Sequence, residues 1–171
     1  MEFDVLIRER YSVRKYADTP VEPEKLQAVL EAGMLAPTGV NAQPQRIYVL
    51  SSAEAIAEIR SLTKMAFNAP IVLMVTLCRD EQWVNQLEDG FAAGIQDVSI
   101  VASHMMLKAA DIGLGTCWVN YFAPSRVKEA FSVPENEDVV LLMPIGYPAE
   151  DSRPSAKHSA SKCLEDVVHI L

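Results

Sequence analysis

The sequence has no CxxC pair among its three cysteines, Cys78, Cys117 and Cys163, which excludes the usual spacing for a structural zinc or a vicinal dithiol. Their odd number and wide separation suit reduced thiols in a cytoplasmic protein. Histidine is equally sparse: His104, His158 and His169 are scattered, with no HExxH and no His and Cys cluster, so no metal site is expected. Basic residues are in deficit, 15 Lys and Arg against 23 Asp and Glu, for a formal net charge of -8. That balance disfavours a general nucleic-acid binder, whose affinity rests on clustered cations neutralising phosphates. The longest apolar stretches, Pro70 to Cys78 and Val139 to Ile145, fall far short of the roughly 20 residues a bilayer span requires. Met1-Glu2-Phe3-Asp4-Val5 carries acid where a signal peptide needs a basic region, and the expected location is the cytoplasm.

Phosphate-binding glycine loops are also missing. There is no GxxxxGK[ST] segment, and Gly113-Leu114-Gly115 lacks the third glycine of a dinucleotide fingerprint. That segment also follows a helix pattern and enters a strand, the reverse of a Rossmann turn. No serine lies in a GxSxG elbow.

What the chain does contain is enough apolar sequence for a core: half its residues, in a length that fits one domain spanning 1–171. Phe3, Leu6 and Ile7 predict a short amphipathic helix over residues 2–10, which leaves the basic cluster after it in a loop. Pro23 suits a first helical position, and Leu26, Val29 and Leu30 share one face of a helix that must stop before Pro37. Ala36 to Pro44 reads as a turn-rich loop. Ile47 to Leu50 predicts a strand, Ser52 an N-cap, and Ile56, Ile59 and Leu62 the apolar face of a third helix. Ile71 to Cys78 is apolar at nearly every residue, which predicts a strand buried on both faces. Phe91 to Asp111 lacks proline and repeats Ile95, Val98, Ala102, Met105 and Ala109 at helical spacing. A long helix with so little polar face points to burial in the domain or a dimer contact. A strand from Cys117 to Phe122, a short helix from Pro124 to Phe131, a core strand from Val139 to Ile145 and a polar tail from Gly146 to Ser161 complete the pattern. Helices on both sides of one sheet make three layers.

The chemistry concentrates in two segments. Arg8, Arg10, Arg14 and Lys15 are interleaved with Tyr11, Ser12 and Tyr16. Arginine's planar fork grips phosphate through two parallel charge-assisted hydrogen bonds, and a hydroxyl two residues on can hold an adjacent sugar or ribityl oxygen. Taken alone, the cluster also fits a solvated loop making surface ion pairs. The segment Ala36-Pro37-Thr38-Gly39-Val40-Asn41-Ala42-Gln43-Pro44 offers amide groups that match the polar edge of a heterocycle, or equally an ordinary turn.

In order along the chain, the RxSxR segment, the APTGVNAQP loop, the Ala69-Pro70 strand entry, the GLGTCWV segment and the PIGYP strand end resemble the nitroreductase superfamily of FMN-dependent enzymes, from residue 2 to about residue 168. The resemblance implies an α+β fold, a three-layer α/β/α arrangement with a central mixed, largely antiparallel sheet of four to five strands. It places Arg10 on the FMN phosphate, Ser12 on the ribityl chain and Arg14 near the flavin N1 and O2 edge, where a cation eases hydride acceptance. Pro37, Thr38 and Asn41 match the loop lent by a partner subunit, which implies a homodimer with the flavin site at the interface. Trp118, Val119 and Asn120 match the strand end beside the isoalloxazine, with core packing the alternative for Trp118. Lys162 matches a basic residue completing the phosphate clamp, or is a solvated lysine of the tail.

The implied reaction is a ping-pong cycle in which NADH or NADPH delivers hydride to flavin N5 and a small flat acceptor, a nitroaromatic, a quinone or a similar molecule, is then reduced. No side chain need act as a catalytic nucleophile, because the cofactor carries the chemistry. A flavin-binding sensor or storage module without turnover, or a specialised reaction such as reductive dehalogenation, fits the same residues. The sequence departs from the family pattern at Gln43-Pro44-Gln45, where an aromatic commonly follows the proline, and lacks the insertion that covers the flavin in larger members. Trp83 is a candidate partial lid, and Cys117 reads as a packed small hydrophobe.

Overall fold

The computed structural model describes residues 1–171. Its centre is a four-stranded sheet of β1 (Gln45–Leu50), β2 (Ile71–Cys78), β4 (Glu137–Gly146) and β3 (Gly115–Thr116), in that order and antiparallel throughout. All eight residues of β2 are buried, as its almost continuous apolar run requires, and the one polar side chain, Thr76, donates to Glu137 Oε2. Side chains alternate across a strand. Ile71, Leu73, Val75 and Leu77 therefore join one core, against helices α2 (Pro23–Met34) and α4 (Gly94–Asp111), while Val72 and Met74 join a second. The second core takes Ile56 and Ile59 from α3 (Ala53–Leu62) and Val127 from α5 (Pro124–Ala130).

The helix boundaries follow from caps and prolines. Pro23 opens α2 at a position whose N–H would lack a partner in any case. The Ser52 hydroxyl accepts from Ala55 N–H at 3.1 Å and starts α3. Close packing of α2 on α4 depends on Gly33, where an added Cβ would sit 2.8 Å from Met105 Cγ. The first helix, α1 (Phe3–Glu9), buries only Leu6; Phe3 and Ile7 remain exposed.

The structure corrects three expectations. The predicted strand from Cys117 to Phe122 is instead the two-residue β3, followed by a single bridge between Val119 and Leu142. The long helix begins at Gly94, and Ile95 is 63% exposed rather than part of the core stripe. Gly94, Asp97, Val98, Val101 and Met105 make the inward stripe at spacings of three and four, which turns Ile95 about 100° away. The tail begins later than Gly146, because Ala17 N–H donates to Tyr147 O, Ala149 N–H donates to Lys15 O, and Ser152 is buried. Only from Arg153 onward is every residue exposed. No helix is long and apolar enough to cross a membrane.

Candidate functional site

Arg10 ends α1, with its N–H bound to Leu6 O, and the chain leaves in extended conformation. It then runs alongside β3: Ser12 bridges Thr116 in parallel register and Val13 N–H donates to Thr116 O at 2.9 Å. Gly115 makes this approach possible, since a Cβ there would overlap the buried Val13 side chain. Two carbonyls, Val13 O at 3.0 Å and Pro144 O at 3.1 Å, lie within hydrogen-bond reach of the Tyr16 hydroxyl. Burial holds that phenol far above the usual tyrosine range.

The segment is therefore rigidly held, yet its arginines are uncommitted. Neither Arg10 nor Arg14 forms an ion pair, although neighbouring Lys15 pairs with Asp151 at 2.5 Å. Arg14 Nη1 donates only to Ser12 O, at 3.2 Å. Arg10 and Tyr11 line one cavity of about 190 Å³ against Leu6, Leu114 and Gly115. Tyr11, Ser12 and Arg14 line a second of about 190 Å³ with Ser155, Lys157 and His158. Lys162 lines neither, and Lys157 lines the second. The exposed tail has no apolar periodicity, and nothing in the sequence distinguished Lys157 from Lys162. His158 comes with it, its ring edge-on to Tyr11 at 6.4 Å between centroids.

Cys117 lies beneath this segment. Burial pushes its thiol up, partly offset by Arg14, a hydrogen bond to Ser12 and Arg10. That keeps it a neutral packed thiol next to the basic cluster, the role of a small hydrophobe.

Beyond Cys117, Trp118 Nε1 donates to Asn120 Oδ1 at 2.6 Å and Asn120 Nδ2 donates to Val140 O at 3.0 Å. Val119 is buried and exchanges both backbone bonds with Leu142. Trp118 packs partly against the core and Asn120 braces it, so this turn is fixed before any ligand arrives.

The second segment is built at a different place. Gly39 N–H donates to Asp97 Oδ1 at 2.9 Å, Gln43 N–H to Thr38 Oγ1 at 3.1 Å, and Gln43 Nε2 to Asn41 Oδ1 at 3.0 Å. Val40, Asn41 and Gln43 all have positive φ, 48°, 60° and 51°. Left-handed backbone costs such residues about 1–2 kcal/mol each, so these contacts over-determine a strained turn. Trp83 packs on Gly39, whose added Cβ would lie 3.2 Å from Trp83 Cβ. Trp83 thus backs this loop instead of covering the arginines. Pro37 and Asn41 are exposed at its tip and Thr38 is half-buried.

The two segments sit at opposite ends of α4. Asp97, in its first turn, holds the loop, while Asp111, its last residue, pairs with the Met1 ammonium at 2.6 Å beside the Arg10 cavity. Fourteen residues of helix separate them, about 21 Å at 1.5 Å per residue. No cavity described here is lined by residues of both segments.

The donor set suits FMN. Two guanidinium groups and a lysine without ion pairs, with a serine hydroxyl, around Tyr11 match a phosphate and a polyol chain, and Glu9 is the one acid that lines either cavity. Fold and cluster together define a three-layer α+β domain with a basic cluster at the C-terminal end of its long helix. The comparisons give the family. The Nitroreductase family profile matches residues 7–67 and 60–147, and the chain belongs to that family of oxidoreductases. A crystallised nitroreductase family protein of Clostridium difficile 630 is 36% identical, with a TM-score of 0.91 over 99% of this chain and 98% of the other. A structure from Clostridium difficile R20291 named as an FMN-dependent nitroreductase is 26% identical, with a TM-score of 0.77 over 98% of each chain. A Methanothermobacter thermautotrophicus protein, provisionally named as an NADH dehydrogenase/NAD(P)H nitroreductase, is 31% identical over 88% of this chain and 80% of its own.

Proposed function

We propose that this chain is an FMN-dependent oxidoreductase that takes hydride from NADH or NADPH and reduces a small flat acceptor, a nitroaromatic or quinone, in a ping-pong cycle, as a homodimer in the cytoplasm. The observation that carries the reading is the pair of unpaired arginines, Arg10 and Arg14, flanking the Ser12 hydroxyl on a segment locked to β3. The names of the relatives, FMN-dependent nitroreductase and NAD(P)H nitroreductase, support the cofactor and the co-substrate.

When bound, FMN would supply the hydride relay at its N5 atom. Arg10 would hold the phosphate by its planar fork and Ser12 the ribityl chain, with Lys157 adding a cation on the Arg14 side. Arg14 would set a positive charge at the N1 and O2 edge, which would favour arrival of hydride. Trp118, Val119 and Asn120 form a pre-braced wall beside the ring. Pro37, Thr38 and Asn41 complete the site from a partner copy, a reading supported by the separation of about 21 Å along α4 within one chain. Exposed apolar residues on α4, Ile95 and Ile100, and in the tail, Val167, Val168 and Ile170, supply surface for the contact.

An absorbance spectrum followed by anaerobic titration with NADH and NADPH tests the reading. Purified protein should be yellow, release FMN on denaturation, bleach with one of the two nucleotides, and sediment as a dimer. A colourless protein that takes up no FMN overturns it, and bound flavin that neither nucleotide reduces favours the sensor or storage module.

A further inference from the structure

A cavity of about 420 Å³ lies between the end of α3 and the turn after Val119. Its walls include Thr63, Lys64, Met65, Asn120, Tyr121 and Phe122. Thr63 fastens the two walls together: its hydroxyl donates to Tyr121 O at 3.1 Å and accepts from Met65 N–H at 3.1 Å. The cavity is therefore a built feature that does not depend on a chance gap between loops.

Its chemistry is selective. Tyr121 is 82% exposed, with no hydrogen bond from its hydroxyl, and Phe122 and Met65 add apolar and polarizable surface. Aromatic faces and thioethers of this kind favour a flat ring. Lys64 forms no ion pair. An adjoining cavity of about 260 Å³ shares Thr63 and Lys64 and adds Arg60, which also lacks a carboxylate partner and donates only to Ala69 O. No Asp or Glu lines either cavity, in a chain where acids outnumber bases by 23 to 15. Two cations left free there give the groove a sign opposite to that of the protein as a whole.

We infer that this groove is an acceptor subsite for small aromatic anions, with the ring against Tyr121 and Phe122 and the anionic substituent toward Lys64. The inference rests on the oxidoreductase reading for its catalytic consequence. It does not rest on it for binding. Because Asn120 belongs to both the groove and the proposed wall beside the flavin, a ring bound here borders the redox site while its charge stays with Lys64. Among acceptors of similar shape, an aromatic carboxylate is preferred over its neutral amide.

The test uses the flavin-loaded full-length protein and two ligand pairs, benzoate with benzamide and 4-nitrobenzoate with 4-nitrobenzamide. Titration calorimetry with the first pair measures binding without turnover. Wild type should bind benzoate more tightly than benzamide, and Lys64→Gln should weaken benzoate by about three- to fivefold, the scale of a solvent-exposed charge pair, while leaving benzamide within twofold. Steady-state assays with the second pair should show the same change in KM for the carboxylate and little change in kcat. Tyr121→Ser should weaken both members of each pair. Equal binding of benzoate and benzamide by wild type overturns the proposal, as does a Lys64→Gln protein that loses flavin, which would assign Lys64 to the cofactor. Selective benzoate binding by a protein that oxidises neither nucleotide would leave the subsite standing and refute the oxidoreductase.

Discussion

Asp97 accepts the Gly39 N–H at 2.9 Å while being 4% exposed itself, and its second oxygen, Oδ2, is buried without a donor. A carboxylate buried at the start of α4 is favoured by the helix N-terminus, and here it anchors a loop with three residues in left-handed conformation. Removing it leaves the Gly39 N–H unpaired. Asp97→Ala should therefore lower stability by about 1–3 kcal/mol and loosen the loop that carries Pro37, Thr38 and Asn41. Asp97→Asn keeps an acceptor at Oδ1 and should recover much of both effects. Thermal denaturation and flavin fluorescence compare the variants; wild-type flavin retention in Asp97→Ala would show that the loop holds its shape without the anchor.

Arg10→Ala should weaken FMN binding by about 1.5–3 kcal/mol, the range for a hydrogen bond to a charged group. Arg10→Lys keeps the charge but loses the fork, so it should fall between alanine and wild type. Fluorescence titration of apoprotein with FMN measures both. Unchanged affinity in Arg10→Ala would move the phosphate elsewhere.

Gly115→Ala forces a methyl group into Val13. Overpacking of this kind costs about 1–3 kcal/mol, and relief requires the strand carrying Ser12 to move off β3. The variant should melt earlier and hold flavin less tightly, although residue 115 need not touch the cofactor. If the melting temperature falls and flavin affinity does not, the register of Ser12 on Thr116 is irrelevant to binding.

Tyr16 sets an alkaline limit. Its folded phenol is held protonated well above the unfolded value near 10, so the folded state keeps a proton that the unfolded chain releases. The stabilisation is complete below about pH 10 and declines above it, by up to about 1.4 kcal/mol per pH unit. Tyr16→Phe should be less stable than wild type at pH 8, by about 0.5–1.5 kcal/mol for each hydrogen bond lost, and the gap should narrow above pH 10. Denaturant titrations across pH 8–11 read this directly; a constant gap would refute it.

The parts of the fold legible in the sequence are those where burial dictates residue type. β2 is apolar at all but Thr76 because both its faces are covered, Ser52 caps α3, and Pro23 opens α2. The failures are places where a local side-chain bond outweighs pattern. At Trp118 the indole N–H turns to Asn120 and the ladder stops, although the segment from Cys117 to Phe122 has strand composition. At the start of α4, Gly94 faces inward against Leu77, and Asp97, a charged residue, takes a core position because a loop amide needs it. Around the candidate site, the sequence shows Arg10, Ser12 and Arg14 close together and the turn-rich loop with Asn41, but not that Lys157 lines a cavity with Arg14, because an exposed tail carries no periodicity to locate one lysine over another.

The placement of the two segments at opposite ends of α4 has a genetic consequence. Under the shared-site reading each chain contributes half of two different sites, so a defect in one half can be rescued by a defect in the other. Chains carrying Arg10→Ala and chains carrying Asn41→Ala, unfolded together and reassembled at equal amounts, would pair unlike in about half of the dimers. Each mixed dimer would contain one site with both lesions and one with neither. At an FMN concentration too low to load either parent, the mixture would thus yield about a quarter of the wild-type sites, whereas a site built within one chain would yield none.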